Sequence, residues 1–113
     1  MKILLKEQAL QRNNSDLCVV TEFPMGDEML NFAIVRVSGK YPTSGHAVNR
    51  VCREMVYIHE GTGRVVVDGQ EHRLKSGDLV LIEAGEKFSW DGNMQLHISC
   101  NPAFIVEQHQ HVD

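Results

Sequence analysis

Glu54 is the residue of this 113-residue chain whose type and neighbours speak most directly of chemistry. It opens the run Glu54-Met55-Val56-Tyr57-Ile58, and residues two apart on a strand share a face, so Glu54, Val56 and Ile58 point together. Arg50 joins them if the strand is regular. A carboxylate turned inward is costly unless it is paired, and a guanidinium fork is a suitable partner, so an Arg50–Glu54 pair is expected. Burial in an apolar pocket also raises a carboxyl pKa, which would make Glu54 a general acid or base. A structural salt bridge to Arg50 or Arg53 is the plainer role for the same group.

Phe88 and Trp90 share a face in the same way and are expected to line the cavity with aromatic surface. His97 sits on a late strand and completes the expected ligand-binding set of Arg50, Glu54, Phe88, Trp90 and His97. One carboxylate, one guanidinium and two rings suit a small organic ligand better than a cation. The indole N–H of Trp90 needs a partner, whereas Phe88 can simply fill the core. Along the late strand Leu96, Ile98 and Cys100 alternate with His97 and Ser99, so Cys100 and His97 point oppositely and cannot form a nucleophilic pair.

A divalent transition metal held by His46, Glu54 and His97 is the rival reading, but that spacing matches no known ligand pattern. A lone His on a strand is more often a satisfied core or surface residue. His59 and His72, beside turns and charges, are expected to be exposed. His109 and His111 could bind metal by themselves, yet the polar stretch Glu107 to His111 reads as a mobile tail. Cys18, Cys52 and Cys100 contain no C-x-x-C pair and read as reduced thiols, with neither a disulfide framework nor a zinc knuckle.

The elements that must position these groups are strands. Apolar and β-branched runs recur at short intervals, near Leu17 to Phe23, Met29 to Val37, Arg53 to Glu60, Arg64 to Asp68, Glu71 to Lys75, Asp78 to Glu83, Lys87 to Asp91 and Met94 to Cys100. Turn signals close them at Gly61-Thr62-Gly63, Asp68-Gly69, Ser76-Gly77-Asp78, Ala84-Gly85 and Asp91-Gly92, leaving no room for a helix between Gly61 and Gly92. The expected architecture is all-β: one small antiparallel barrel over residues 1–113, with a short helix or an edge strand in the first dozen residues. An exposed strand edge in such a barrel is commonly protected by a second copy, so a homodimer is expected, with Met55 and Tyr57 between sheets or in that interface.

Composition sets the outer limits. Hydrophobic residues at 42% and charged residues at 23% are ordinary globular usage, and a chain of this size supports one core. A formal charge of −4 with scattered Lys and Arg offers no footprint for a phosphate backbone, so nucleic acid is not an expected partner. The opening apolar run is too short for a signal peptide and no later stretch is long enough to span a bilayer, so no membrane partner and a cytoplasmic location are expected.

From about His46 to Phe104 the chain resembles the small single-domain cupins. Of their first motif it has Glu54, six intervening residues and Gly61; of the second, Gly77, Glu83 at the Pro place, Gly85, and Phe88 at the His place. The stretch from Val65 to Asp78, with its Asp68-Gly69 hairpin, is similar to the region between the motifs. The resemblance implies a barrel of jelly-roll type. In metal-binding members two His and one Glu of the first motif converge with one His of the second. Here the first two places hold Val48 and Arg50, or Ala47 and Asn49, depending on spacing, and the last holds Phe88, so only Glu54 remains. The expected function is therefore a metal-independent barrel, without cofactor, binding a small molecule such as a sugar or a carboxylate. The alternatives are a cupin enzyme, either an isomerase or epimerase with Glu54 as base or a dioxygenase-type member with displaced ligands, and a solid-core dimerisation protein.

Overall fold

The structure, a computed structural model, describes residues 1–113. Nine strands follow one another: β1 (Leu10–Ser15), β2 (Cys18–Glu22), β3 (Asn31–Tyr41), β4 (His46–Asn49), β5 (Arg53–Val67), β6 (Gln70–Lys75), β7 (Leu79–Ile82), β8 (Lys87–Asn101) and β9 (His109–Val112). All pairings are antiparallel within a single curled sheet. The long β8 is its spine, with β5 along one edge and β3 then β4 along the other. The N-terminal segment forms a short 3-10 turn at Lys6–Gln8 and then the edge strand β1. No helix is long and apolar enough to cross a membrane.

Period-two patterning decides which side chains face inward. On β5, Glu54, Val56 and Ile58 are buried while Met55 and Tyr57 are exposed. On β8, Met94, Leu96, Ile98 and Cys100 are buried, alternating with Gln95, His97 and Ser99. Each aliphatic side chain so buried contributes roughly 1.5–3 kcal/mol, and together they form the inner wall. The outer side leaves Met55, Tyr57, Leu79 and Leu81 in an apolar strip.

Two expected turns are not turns. The sequence suggests breaks at Gly61-Thr62-Gly63 and at Asp91-Gly92, but β5 and β8 run through both, with Gly63 opposite Gly92 and Gly61 opposite Met94. These glycines serve close approach: a Cβ on Gly92 would stand 2.5 Å from the Gly63 Cα, and one on Gly61 2.0 Å from the Asn93 carbonyl oxygen. A bulge between Ile58 and Glu60 adds to the bend. The Asp68-Gly69 hairpin is as expected, both residues having positive φ, 47° and 83°.

β1 takes the edge-strand alternative for the N-terminal segment, starting at Leu10, whereas β4 and β9 carry little apolar alternation and were not expected. The terminal stretch read as a mobile tail is ordered: β9 pairs with β4, setting His109 against Asn49 and His111 against Ala47. A polar segment can make a strand when its backbone groups find a waiting edge, which composition does not reveal.

Candidate functional site

The curl of the sheet leaves a pocket between its inner faces. Val20, Val35, Phe88, Trp90, Leu96, Ile98 and Phe104 give apolar walls; Glu54, Tyr41, Cys100 and His109 are set among them. The centre of a water-sized sphere can roam about 60 Å³ within an envelope of about 580 Å³ that opens to solvent. The smaller figure decides whether the barrel is solid: it is several times the roughly 10–15 Å³ that one water needs.

Glu54 is only 6% exposed. Its Oε1 accepts a hydrogen bond from Asn49 Nδ2 at 2.8 Å, while its Oε2 is buried with no partner. Burial pushes its pKa from 4.5 up to about 7, against the opposing pull of the Asn49 hydrogen bond. Asn49 uses its amide in both directions, since Oδ1 accepts from Gln108 Nε2 at 3.1 Å and from His109 Nδ1 at 2.8 Å. An amide oxygen only accepts, so His109 carries its proton on Nδ1 and leaves Nε2 as acceptor for the Tyr41 hydroxyl, 2.7 Å away. The Tyr41 oxygen in turn accepts from His111 Nε2 at 3.0 Å. Burial, then His111 and Arg12, lower the His109 pKa to about 4, so its ring is neutral near pH 7. Burial raises the Tyr41 phenol, which keeps its proton.

The mouth is polar and already paired. Arg12 on β1 donates Nε to Glu22 Oε1 on β2 at 2.8 Å and Nη1 to Asn14, and its guanidinium lies 5.5 Å from the centre of the Phe104 ring. Asn31 accepts from the Phe104 backbone N–H at 3.1 Å and fixes that wall.

Three residues of the expected set, Glu54, Phe88 and Trp90, line this pocket. Arg50 does not: β4 ends at Asn49, the chain bends, and Arg50 is exposed, donating Nε to Gln110 Oε1 at 2.9 Å. The expected Arg50–Glu54 pair is thus replaced by Asn49–Glu54. His97 belongs to the outward set of β8, its ring stacked on His59 at 4.5 Å and edge-on to Phe32. His46 lies on the face of β4 opposite Asn49, so His46, Glu54 and His97 do not converge. Tyr41, His109 and Arg12 were missed because their roles come from long-range pairing. Asn49 had a signal: it occupies the second His place of the four-residue spacing, which its contact with Glu54 selects.

That geometry tests the metal that cupins of the four-ligand type carry. At the four places stand Ala47, Asn49, Glu54 and Phe88; Asn49 presents an N–H donor to the carboxylate, and Ala47 and Phe88 offer no donor atom. The residues do not fit such an ion. Behind the pocket wall, one ligand atom each of the buried Cys52, Glu54 and Cys100 lie within 4.8 Å of one another. These are three donors, one short of the closed set of a structural zinc site, and Asn49 takes up one of the two Glu54 oxygens.

Fold and site together define a small antiparallel barrel with one interior acid and an opening to solvent. The cupin domain family matches residues 33–98, and the chain belongs to that family. No curated protein sequence matches. Among solved structures the chain is similar to Pac13, described as a unique nucleoside dehydratase, at 17% identity over 99% of this chain and 91% of that one, with a TM-score of 0.88. It is also similar to KdgF from Halomonas sp., at 12% identity over 95% and 98% with a TM-score of 0.76. Salicylate 1,2-dioxygenase from Pseudaminobacter salicylatoxidans is matched at 18% identity over 79% of this chain but 27% of that one, with a TM-score of 0.68. These likenesses concern the fold.

Proposed function

We propose that the chain binds a small uncharged polar molecule of the nucleoside or sugar class in the barrel and moves a proton on it through Glu54, as an acid–base lyase or isomerase without a resident metal. The observation that carries this reading is the Oε2 of Glu54: a buried carboxyl oxygen without a partner, at the edge of an apolar pocket that opens to solvent. A pKa near the working pH lets one carboxyl both take and return a proton. Asn49 holds the other oxygen and is a positioning residue. The rings of Phe88, Trp90 and Phe104 offer faces for a base or a sugar. Uridine is the chosen probe because variants of the similar Pac13 have been solved with it.

Trp90, the only tryptophan, stands in the pocket wall and reports occupancy directly. Uridine or a free hexose is expected to change its fluorescence saturably, and Ala33→Leu, which fills the cavity, is expected to abolish the change. Glu54→Gln should keep binding but slow hydrogen exchange from D2O next to the carbonyl of a bound keto-sugar by roughly 10²–10⁴-fold. Exchange that persists in Glu54→Gln removes the proton-transfer role, and fluorescence unmoved by every probe removes the ligand class.

In the same reading a second copy covers the outer strip of Met55, Tyr57, Leu79 and Leu81. Sedimentation equilibrium is expected to give a dimer that Tyr57→Glu dissociates; a monomeric native chain contradicts this pairing.

A further inference from the structure

We infer that Glu22 determines ligand charge at this site: by occupying Arg12 it makes the pocket reject anionic, phosphorylated ligands and admit their neutral counterparts. This rests on the reading above that the pocket takes a small organic molecule, and adds which member of that class it accepts. Arg12 is the only Lys or Arg among the lining residues. Its Nε is bound to Glu22, its Nη1 to Asn14, and Phe104 lies beside its guanidinium. The ion pair is about one-third exposed, so it stands at the entrance and a ligand passes it.

A phosphate entering there loses hydration and meets a guanidinium whose charge Glu22 already neutralises. Even at the remaining Arg12 N–H groups it would stand as a dianion beside the Glu22 carboxylate. Deeper in, the only imidazole in the wall, His109, has both nitrogens engaged, and the one further acid, Glu54, gains nothing from a neighbouring negative charge. A neutral ribose or hexose needs no countercharge and can exchange hydrogen bonds with Asn14, Asn31 and the edges of the ion pair. The reaction that supplies this substrate must therefore deliver it without a phosphate, as hydrolysis of a phosphomonoester does.

The test compares uridine with uridine 5′-monophosphate, and adds inorganic phosphate as a probe that needs no nucleoside site. Native protein is expected to prefer uridine over the monophosphate by at least about 100-fold in affinity and to ignore inorganic phosphate. Glu22→Gln keeps a hydrogen-bond acceptor for Arg12 Nε but removes the charge, and should cut that preference at least about tenfold and create phosphate binding. Adding Arg12→Gln to it should remove the phosphate binding again. Native protein that binds the monophosphate as tightly as uridine, or a Glu22→Gln variant with no gain for phosphate, overturns the inference. Uridine that fails to bind while Glu22→Gln gains phosphate removes the nucleoside reading and leaves the role of Glu22 standing.

Discussion

Glu54→Gln is expected to gain stability relative to the native chain by about 3 kcal/mol as pH rises from 4.5 to above 7. The sign follows from where the protons are. Below pH 4.5 the carboxyl is protonated in both folded and unfolded chains, and its ionisation costs nothing. Between 4.5 and about 7 the unfolded chain has released the proton while the folded one retains it, so native stability falls as pH rises. Above about 7 the full penalty is present, and the amide variant escapes it. His109 acts in the opposite sense, because its folded pKa is lowered from 6.5 to about 4. As pH falls from 6.5 the unfolded chain takes up a proton that the folded one excludes, and stability falls with it. The two slopes offset each other in native protein across most of that window. Glu54→Gln should therefore show stability rising from pH 4 to 6.5, the sense set by His109 and shared by His97, whose pKa burial and His59 also lower. Urea unfolding at a series of pH values checks this. A constant difference between variant and native chain means that the carboxyl is not held neutral.

Gly61→Ala is expected to cost more than about 3 kcal/mol, and Gly69→Ala only roughly 1 kcal/mol. Both glycines have positive φ, 92° and 83°, so the conformational cost is shared. The difference is what a methyl would meet: at Gly69 nothing within 4 Å, at Gly61 the Asn93 carbonyl oxygen at 2.0 Å, on the neighbouring strand. Backbone on both sides cannot yield without breaking the β5–β8 ladder that holds the barrel together. Denaturation midpoints of the two variants compare the cases directly. Equal, small losses mean that Gly61 lies in an exposed turn and that β5 is two strands.

Those glycines also mark how far the sequence could be read. Gly61, Gly63 and Gly92 announce unusual backbone, but a turn and a close crossing of strands leave the same residue type, and only the pairing partner separates them. Inward facing was legible wherever alternation was strong, as for Glu54, Val56, Ile58, Phe88 and Trp90. It failed at Arg50, where the strand was assumed to continue past its end at Asn49. His97 follows the alternation of β8 faithfully, and its outward position was implicit in the inward placing of Leu96, Ile98 and Cys100. The hydrogen-bonded series from Glu54 through Asn49 and His109 to Tyr41 was beyond reach, because it joins residues separated by up to 68 positions and depends on β9, a strand with no apolar pattern.

A carboxylic acid kept neutral beside the pocket underlies both the proposed chemistry and the stability slopes. Selective 13C labelling of glutamate side chains, with the Glu54 carboxyl resonance assigned through Glu54→Gln and followed by NMR from pH 3 to 9, observes it directly. A midpoint near 7 is the predicted result. A midpoint in the ordinary glutamate range, near 4.5, would show an ionised, solvated or paired carboxylate and contradict both the pocket chemistry and the stability slopes drawn from it.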